Sequence, residues 1–366
     1  MPPRWRASLA RITPYVAPPP LDALEASLGQ PVLRLSANEN PIGPSPLAVE
    51  AIRAEASRVH LYPDAGAPAL AHAVAEALGV TPAQLLFGNG GDEIITLLGH
   101  ALLEPGDEVV IPQPAFEPYA TTALLAGATV VPSPLRDYRI DLDDVLERLG
   151  PRTKLVCLSS PHNPTGPALG RAAWDRFLAR CPADVMILLD EAYIDFVEDP
   201  AAVADGLAAL RARPEGLVLL RTFSKIAGLA GLRVGYAIAA APVIETLGRA
   251  REPFNVNRLA QAGAAAALRD TAHREATRRV VWTEKRALYA ALAARGLAYV
   301  PTDANFLVVR LGRPSGPVVG VMRARGVLVR DGGHVGLPEH LRISVGTAAQ
   351  NARLLAALDA ALAGTR

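Results

Sequence analysis

The sequence predicts an α/β protein in which a large domain has a mixed, mostly parallel sheet flanked by helices, beside a smaller α+β domain. Two observations lead to this fold class: short β-branched apolar runs that are continuous rather than alternating, and alanine-rich segments between them. Continuous apolar runs indicate strands buried on both faces, as in a parallel sheet covered by helices on both sides. Alanine favours helix because it loses no side-chain entropy there.

The order strand, polar loop, helix repeats between about residues 85 and 240 and predicts the large domain. Its strands are expected at 108–111, 129–131, 154–158, 185–189, 217–220 and 234–238.

After an arginine- and alanine-rich helical region at 259–295, the pattern changes to that of the smaller domain. Its strands are expected at 297–301, 304–309, 327–329 and 341–345, before a final helix at 348–362. We expect a helix to bend at Pro253, because proline interrupts helical hydrogen bonding. The predicted domains are residues 46–255 for the large domain, and 1–45 with 256–366 for the small domain and an N-terminal arm.

Composition and charge restrict the classes of function. The 366 residues have a net charge of +1, which gives no electrostatic reason to expect nucleic acid or an anionic membrane as partner. Two cysteines imply no disulfide framework and favour a reducing compartment, and the seven histidines lack metal-ligand spacing, so no metal is expected. No apolar run reaches the ~18 residues of a membrane span, and no signal peptide is recognised. We expect a soluble, cytoplasmic protein.

A lysine surrounded by hydroxyls and glycines follows the strand predicted at 217–220, in the segment RTFSKIAGLAGLRVGY at 221–236. A lysine that forms a Schiff base must reach its neutral form, which a buried position favours, and Lys225 fits that requirement. Thr222 and Ser224 can donate hydrogen bonds to a phosphate, and Arg233 can add a charge-assisted contact. The structural alternative is a basic loop that joins a strand to a helix.

Two further polar segments follow predicted strands, DEAY at 190–193 and SSPHNPTG at 159–166. Ligands of α/β proteins bind in the crevice at the carboxyl ends of the strands. There Asp190 can pair with a protonated pyridine nitrogen, and Tyr193 and Asn163 can reach the phenolate oxygen O3′ of the same ring. The alternatives are a helix N-cap for Asp190 and a turn residue for Asn163.

A glycine-rich segment, FGNGGDEII at 87–95, runs into a predicted helix. Gly90, Gly91 and Asp92 stand where free backbone N–H groups and the helix dipole favour a phosphate. By itself the segment is a weak signal, since it matches neither G-x-G-x-x-G nor a P-loop. All four polar segments follow strands, however, so they could meet at one end of one sheet.

With these four motifs the chain resembles fold-type I enzymes that depend on pyridoxal 5′-phosphate (PLP), and among them histidinol-phosphate aminotransferases, over essentially its whole length. The resemblance also includes ITPYV at 12–16, SANENP at 36–41, YPD at 62–64, REPFNVN at 251–257, NFLV at 305–308 and GLPEHLRISVG at 336–346. The chain departs from the family pattern at Gly91, at Ala227, at Arg258 and at Asp331 with the two glycines after it.

The resemblance implies a role for each motif. Lys225 would be the Schiff-base lysine, and Asp190, Tyr193 and Asn163 would hold the pyridine ring of PLP. The other residues expected to bind the cofactor are Gly90, Gly91, Asp92, Phe116, Thr222, Ser224 and Arg233, with Tyr62 from the neighbouring subunit of a homodimer. The residues expected to bind substrate are Arg342 as the carboxylate clamp, Arg330 and Tyr15 at the distal, phosphate end, and Asn38.

The implied activity is amino transfer between histidinol phosphate and 2-oxoglutarate, as part of histidine biosynthesis (EC 2.6.1.-), by a ping-pong mechanism. Because histidinol phosphate has no carboxylate, Arg342 would bind its phosphate or the carboxylate of glutamate. The resemblance leaves two alternatives on the same fold, an aromatic or other amino-acid aminotransferase and a threonine-phosphate decarboxylase.

Two readings come from other classes of protein. A PLP-binding sensor module of a transcription regulator would need a DNA-binding domain, for which we expect no room before Tyr15. A nicotinamide-dependent dehydrogenase would need the missing glycine fingerprint.

Overall fold

The computed structural model describes residues 4–14 and 20–364. Its strands are β1 (Leu33–Arg34), β2 (Leu85–Gly88), β3 (Glu108–Gln113), β4 (Thr129–Pro134), β5 (Thr153–Ser159), β6 (Met186–Asp190), β7 (Leu217–Thr222), β8 (Gly235–Ile238), β9 (Ala298–Val300), β10 (Phe306–Arg310), β11 (Val327–Leu328), β12 (Arg330–Asp331) and β13 (His340–Ser344).

The α-helices are α1 (Leu21–Leu28), α2 (Pro46–Glu55), α3 (Pro68–Leu78), α4 (Gly91–Leu102), α5 (Glu117–Ala126), α6 (Leu142–Glu147), α7 (Arg171–Arg180), α8 (Gly206–Ala212), α9 (Ala241–Gly248), α10 (Arg258–Arg269), α11 (Thr271–Ala293), α12 (Ser315–Ala324) and α13 (Ala348–Gly364). Short 3₁₀ helices lie at Ala7–Arg11, Ala56–Arg58, Pro82–Gln84, Ile194–Phe196, Ala230–Leu232 and Gly332–Val335.

The larger sheet has, within the described residues, seven strands in the order β2-β8-β7-β6-β5-β3-β4. Strand β8 is antiparallel to both of its neighbours, and the other pairs are parallel. The predicted mixed, mostly parallel sheet flanked by helices is therefore confirmed.

The two faces of this sheet are both buried, which explains the continuous apolar runs. In β6, Ile187 and Leu189 join one hydrophobic core, while Leu188 between them joins the core on the other face. Successive side chains of a strand point to opposite faces, so a strand covered on both sides needs an apolar residue at every position.

The smaller unit contains a four-stranded antiparallel sheet, β12-β13-β10-β9, and the parallel pair β1-β11. A third core, built largely on β10, β13, α11, α12 and α13, includes Phe306 and Leu358. Helix α10 lies beyond residue 255, yet Ala260 and Ala264 pack in the core of the larger sheet. We therefore propose that the domain boundary lies at Asp270, the N-cap of α11, rather than at residue 255.

The expected helix bend at Pro253 is wrong. Helix α9 ends at Gly248, and α10 begins only at Arg258, with irregular chain between them that includes Phe254 at φ 59°. The Asn257 side chain accepts a hydrogen bond from Ala260 N and caps the new helix. Proline lacks an N–H donor, and here the chain leaves the helix altogether instead of bending it.

The sheet topology brings the polar segments together. Strands β5, β6 and β7 are parallel, so the loops that follow them emerge at the same edge. Strand β2 runs in the same direction, because it and β7 are both antiparallel to β8. Among residues 4–14 and 20–364, no helix is long and apolar enough to cross a membrane.

Candidate active site

Two cavities, of about 440 and about 270 Å³, meet at Lys225 and share Ala37, Phe116, Asn163 and Tyr193 as lining residues. Lys225 Nζ donates a hydrogen bond to the carbonyl oxygen of Ala37 over 3.1 Å and lies 5.6 Å from the centre of the Tyr193 ring. The lysine is therefore directed to the junction of the cavities, in reach of ligands in both.

Asp190 ends β6 and is buried beside the smaller cavity. Its carboxylate accepts hydrogen bonds from the Tyr119 hydroxyl at 2.7 Å and from Ala192 N at 2.9 Å. Burial raises the pKa of Asp190 to about 6, although both hydrogen bonds act in the opposite direction. Burial and the Asp190 charge raise the pKa of Tyr119. Asp190 is thus fixed in position but poorly solvated, a setting in which a cationic partner would favour its ionised form.

Where α4 begins and β7 ends, the smaller cavity contains hydrogen-bond donors suited to a phosphate. Thr222, Ser224, Gly91, Asp92 and Arg233 all line it. Arg233 Nη2 donates to Asp92 Oδ2 over 3.1 Å, and Thr222 Oγ1 donates to Ser224 Oγ over 3.0 Å. Helix α4 begins at Gly91, so its first N–H groups and the positive end of its dipole also lie here.

Gly90 permits the close approach of Arg233 to this end of the cavity. Its φ is +85°, a conformation that side chains rarely adopt, and a Cβ at this position would collide with the Arg233 guanidinium group. Glycine is therefore required at this position for two reasons: the turn needs a positive φ, and a Cβ would leave no space for the Arg233 side chain.

Arg342 and Asn163 connect the two units of the fold. Arg342, in β13, donates from Nη1 to Asn163 Oδ1 over 2.7 Å and from Nη2 to the Ser36 carbonyl over 3.1 Å, and its guanidinium lies 5.4 Å from the Phe306 ring centre. Because Oδ1 of Asn163 accepts from arginine, the NH₂ group is the end of this amide that can donate to a ligand.

Asn38 supports Tyr193 from the smaller unit. Its Nδ2 donates to the Tyr193 hydroxyl over 3.0 Å, and its backbone N donates to Ser344 Oγ over 2.8 Å. Asn38 is buried and has a positive φ of 56°, which asparagine tolerates better than most residues.

The distal part of the larger cavity is rich in cationic side chains. Arg323 and Arg330 line it in addition to Arg342, with Glu117 and Asp331 as acidic neighbours. Arg330 Nη2 lies 3.2 Å from Glu117 Oε1. The excess of arginine suits an anionic substrate.

Most of the residues expected from the sequence line these two cavities, but Gly90 lies behind the phosphate end and Tyr62 lies elsewhere. Tyr62 is 79 % exposed and stacks on Phe254 with ring centres 4.8 Å apart, at a separate surface cavity. Tyr15 lies outside the described residues.

The sequence comparison decides the family. Residues 30–358 match the family described as "Aminotransferase class I and II". The chain belongs to this family. The aminotransferase is 43 % identical, over 99 % of its own length and 94 % of the relative's, to a histidinol-phosphate aminotransferase of Moorella thermoacetica. It is also 43 % identical to one of Symbiobacterium thermophilum, with 98 % of each chain covered.

The structural comparison agrees with the sequence. The crystal structure of histidinol-phosphate aminotransferase from Sinorhizobium meliloti in complex with pyridoxal-5′-phosphate matches with a TM-score of 0.91 at 28 % identity, covering 99 % of this chain and 98 % of that one. The predicted fold-type I architecture and the predicted aminotransferase activity are thus confirmed.

Two residues of the aminotransferase's site escaped the sequence analysis. Tyr119 contacts Asp190, and a signal was present, because Tyr119 follows Phe116 by three residues as α5 begins. Residues at this spacing share one side of a helix. The second is Ala37, whose carbonyl oxygen accepts a hydrogen bond from Lys225. The sequence gives no signal for this contact, because every residue has a backbone carbonyl oxygen.

Proposed function

We propose that this aminotransferase moves an amino group between L-histidinol phosphate and 2-oxoglutarate, with PLP bound at Lys225. The observation that best supports the substrate is the pair Arg330 and Arg342, which line the larger cavity next to Lys225. Two guanidinium groups suit a phosphate monoester in one half-reaction and a dicarboxylate in the other. The names of the relatives point to the same substrate.

The donor set of the smaller cavity fits PLP. Asp190 is a buried carboxylate whose charged neighbours, Asp92 and Glu191, disfavour its ionisation. A protonated pyridine nitrogen would supply the missing positive charge. Asn163 and Tyr193 would hold O3′. The residues proposed for the phosphate are Gly90, Gly91, Asp92, Thr222, Ser224 and Arg233, and Phe116 would cover the ring.

The chain's own residues then divide the work. When bound, PLP supplies an electron sink for the negative charge that develops at the substrate Cα. Lys225 Nζ takes the proton from this carbon as general base. Asp190 keeps the ring nitrogen protonated, and Tyr193 with Asn38 fixes the ring's oxygen. Arg342 holds an anionic group of each substrate, and Arg330 holds the anionic group at the distal end of the cavity. Because the two substrates occupy this site one after the other, we expect ping-pong kinetics.

We also propose a homodimer in which Tyr62 reaches the partner's cofactor phosphate. Large apolar side chains exposed in the single chain support this assembly: Ile42, Leu47, Val59, Leu61, Tyr62 and Phe254. Four of them, Val59, Leu61, Tyr62 and Phe254, line one surface cavity, and exposed apolar patches of this kind mark protein interfaces. A cytoplasmic location is proposed because Cys157 and Cys181 are both free thiols.

Absorbance spectra of the PLP-loaded protein test this function. Histidinol phosphate, phenylalanine and threonine phosphate are added singly, and Lys225→Ala is the control for covalent attachment of the cofactor. We expect histidinol phosphate alone to convert the visible band to that of the aminated cofactor, and 2-oxoglutarate to restore it. Conversion by phenylalanine instead would refute the substrate, and a wild-type protein without a cofactor band would refute the PLP site.

A further inference from the structure

We infer that Tyr138 and His340 are positioning residues for Arg342, and that they join the two sides of the larger cavity. Tyr138 lies in the turn between β4 and α6, whereas His340 begins β13, two residues before Arg342. The Tyr138 hydroxyl lies 2.9 Å from His340 Nε2, and the two rings meet edge to face with centres 5.5 Å apart. The inference rests on the proposed function, in which Arg342 binds the substrate anion.

The backbone of Tyr138 is tied to the loop that contains Asn163. Thr165 Oγ1 donates to the Tyr138 carbonyl over 2.7 Å and lies 2.6 Å from His162 Nδ1. Because the single hydroxyl proton of Thr165 goes to Tyr138, His162 must donate from Nδ1. Burial lowers the pKa of His162 to about 3, so the ring stays neutral and keeps this tautomer. The loop on both sides of Asn163 is thereby fixed to Tyr138.

Two links consequently connect β13 to the Asn163 loop. One is the direct hydrogen bond from Arg342 to Asn163, and the other passes from His340 through Tyr138 to Thr165. An anion that binds Arg342 competes with Asn163 for the same guanidinium group. The Tyr138 link involves neither of these groups, so it keeps β13 at its distance from the loop while Arg342 exchanges partners.

The backbone conformation of the turn at Tyr138 also indicates that the Tyr138 side chain has a structural role. Asp137 and Tyr138 both have positive φ, 48° and 64°, and Arg136 and Arg139 exchange backbone hydrogen bonds of 2.9 Å across them. A two-residue turn of this kind favours asparagine or glycine, because positive φ is unfavourable for other side chains. A tyrosine in this conformation needs a compensating contact, and His340 provides one.

The test compares Tyr138→Phe with Tyr289→Phe in the PLP-loaded protein. The probe is glutarate, which has both carboxylates of 2-oxoglutarate but no keto group and cannot react. Tyr289 is the matched control, because its hydroxyl also takes part in a hydrogen bond, accepting from Thr302 N over 2.8 Å, but lies in the smaller unit and lines neither cavity.

We expect Tyr138→Phe to raise the glutarate Kd about 3- to 10-fold, the loss of one neutral hydrogen bond, and to raise KM for 2-oxoglutarate with little change in kcat. PLP affinity should stay at the wild-type value, and Tyr289→Phe should bind glutarate as the wild type does. His340→Phe should add nothing to Tyr138→Phe, because both remove the same link. An unchanged Kd in Tyr138→Phe, or an equal rise in Tyr289→Phe, overturns the inference.

Two further variants keep the test decisive. Thr165→Val breaks the link at its other end, so it should also weaken glutarate binding, and it decides the matter if Tyr138→Phe does not fold. Arg342→Gln separates the two proposals. If it binds glutarate normally, the proposed role of Arg342 fails; if it loses binding while Tyr138→Phe and Thr165→Val do not, only the positioning role fails.

Discussion

Arg330 and Arg342 lie directly opposite each other on the adjacent antiparallel strands β12 and β13. Residues paired in this way project from the same face of a sheet, and both of these line the larger cavity. Like charges so placed repel each other, and here Glu117 next to Arg330 and Asn163 next to Arg342 partly offset the repulsion. An anion bound between the two guanidinium groups would relieve it further.

Arg330→Gln should therefore impair the use of histidinol phosphate far more than that of histidinol, which lacks the phosphate. We expect kcat/KM for histidinol phosphate to fall about 10- to 100-fold, the range for one charged hydrogen bond, with little effect on histidinol. Arg310→Gln is the control, since Arg310 lies in the same sheet but outside the cavities and pairs with Glu339 at 3.8 Å. An equal loss with both donors would contradict a phosphate role for Arg330.

The pH dependence of PLP binding should report on Asp190. Burial raises the pKa of this carboxyl to about 6, so below that pH it must lose a proton before it can pair with a protonated ring nitrogen. Affinity should therefore rise with pH up to about 6, by as much as about tenfold per unit. The phosphate of PLP also titrates near pH 6. In Asp190→Asn only the phosphate still titrates, so this variant shows how much of the pH dependence comes from the phosphate. Equilibrium dialysis measures PLP affinity against pH in both proteins, and equal slopes would show that the Asp190 carboxyl does not cause the pH dependence.

The raised pKa of Asp190 affects folding stability in the opposite direction to PLP affinity: stability falls as pH rises. The pKa of Asp190 is higher in the folded chain than the ~3.9 of an unfolded one, so the folded state binds more protons between these values and stability falls as pH rises through them. Apoprotein with Asp190→Asn should consequently be more stable than wild type at pH 7, and the difference should shrink towards pH 4. Urea unfolding at both pH values measures this, and a variant less stable at pH 7 would disprove it.

The site residues at the strand ends could be foreseen because their positions follow from topology alone. Once β5, β6 and β7 are parallel, Asn163, Asp190 and Lys225 must emerge at one edge. Contacts between distant elements could not be foreseen in this way. Tyr119 and Asp190 are 71 residues apart, and Tyr138 and His340 are 202 apart. The first contact depends on how α5 packs against the large sheet, and the second on how the two units of the fold pack together.

Gly90→Ala should disrupt the phosphate end of the smaller cavity, and Gly79→Ala provides a matched control. Both glycines have positive φ, +85° and +66°, but a Cβ at Gly79 meets nothing within 4 Å, whereas one at Gly90 meets Arg233. Backbone strain should cost Gly79→Ala, which has αL geometry, about 1 kcal/mol of stability. Gly90→Ala should lose more, because φ 85° with ψ 175° is a conformation almost restricted to glycine. Only Gly90→Ala should also weaken PLP binding, by about tenfold or more, since Arg233 is displaced from a charged contact. Equal PLP affinities in the two variants would argue against this role of Arg233.

The patch around Tyr62 gives the last prediction, on assembly. Val59, Leu61, Tyr62 and Phe254 line one surface cavity and are all exposed in the single chain. A charge placed among them would be desolvated on association, at a cost of several kcal/mol, so Leu61→Asp should shift the protein from dimer to monomer.

Sedimentation velocity measures the shift from dimer to monomer. The control is Ala179→Glu, which adds a charge on the exposed side of α7 and should stay dimeric. Because Tyr62 is proposed to reach the partner's cofactor, Leu61→Asp should also bind PLP more weakly. A wild-type protein that sediments as a monomer would refute the shared site. If Leu61→Asp is monomeric but binds PLP with unchanged affinity, the proposed dimer interface stands. The proposed contact of Tyr62 with the partner's cofactor then fails.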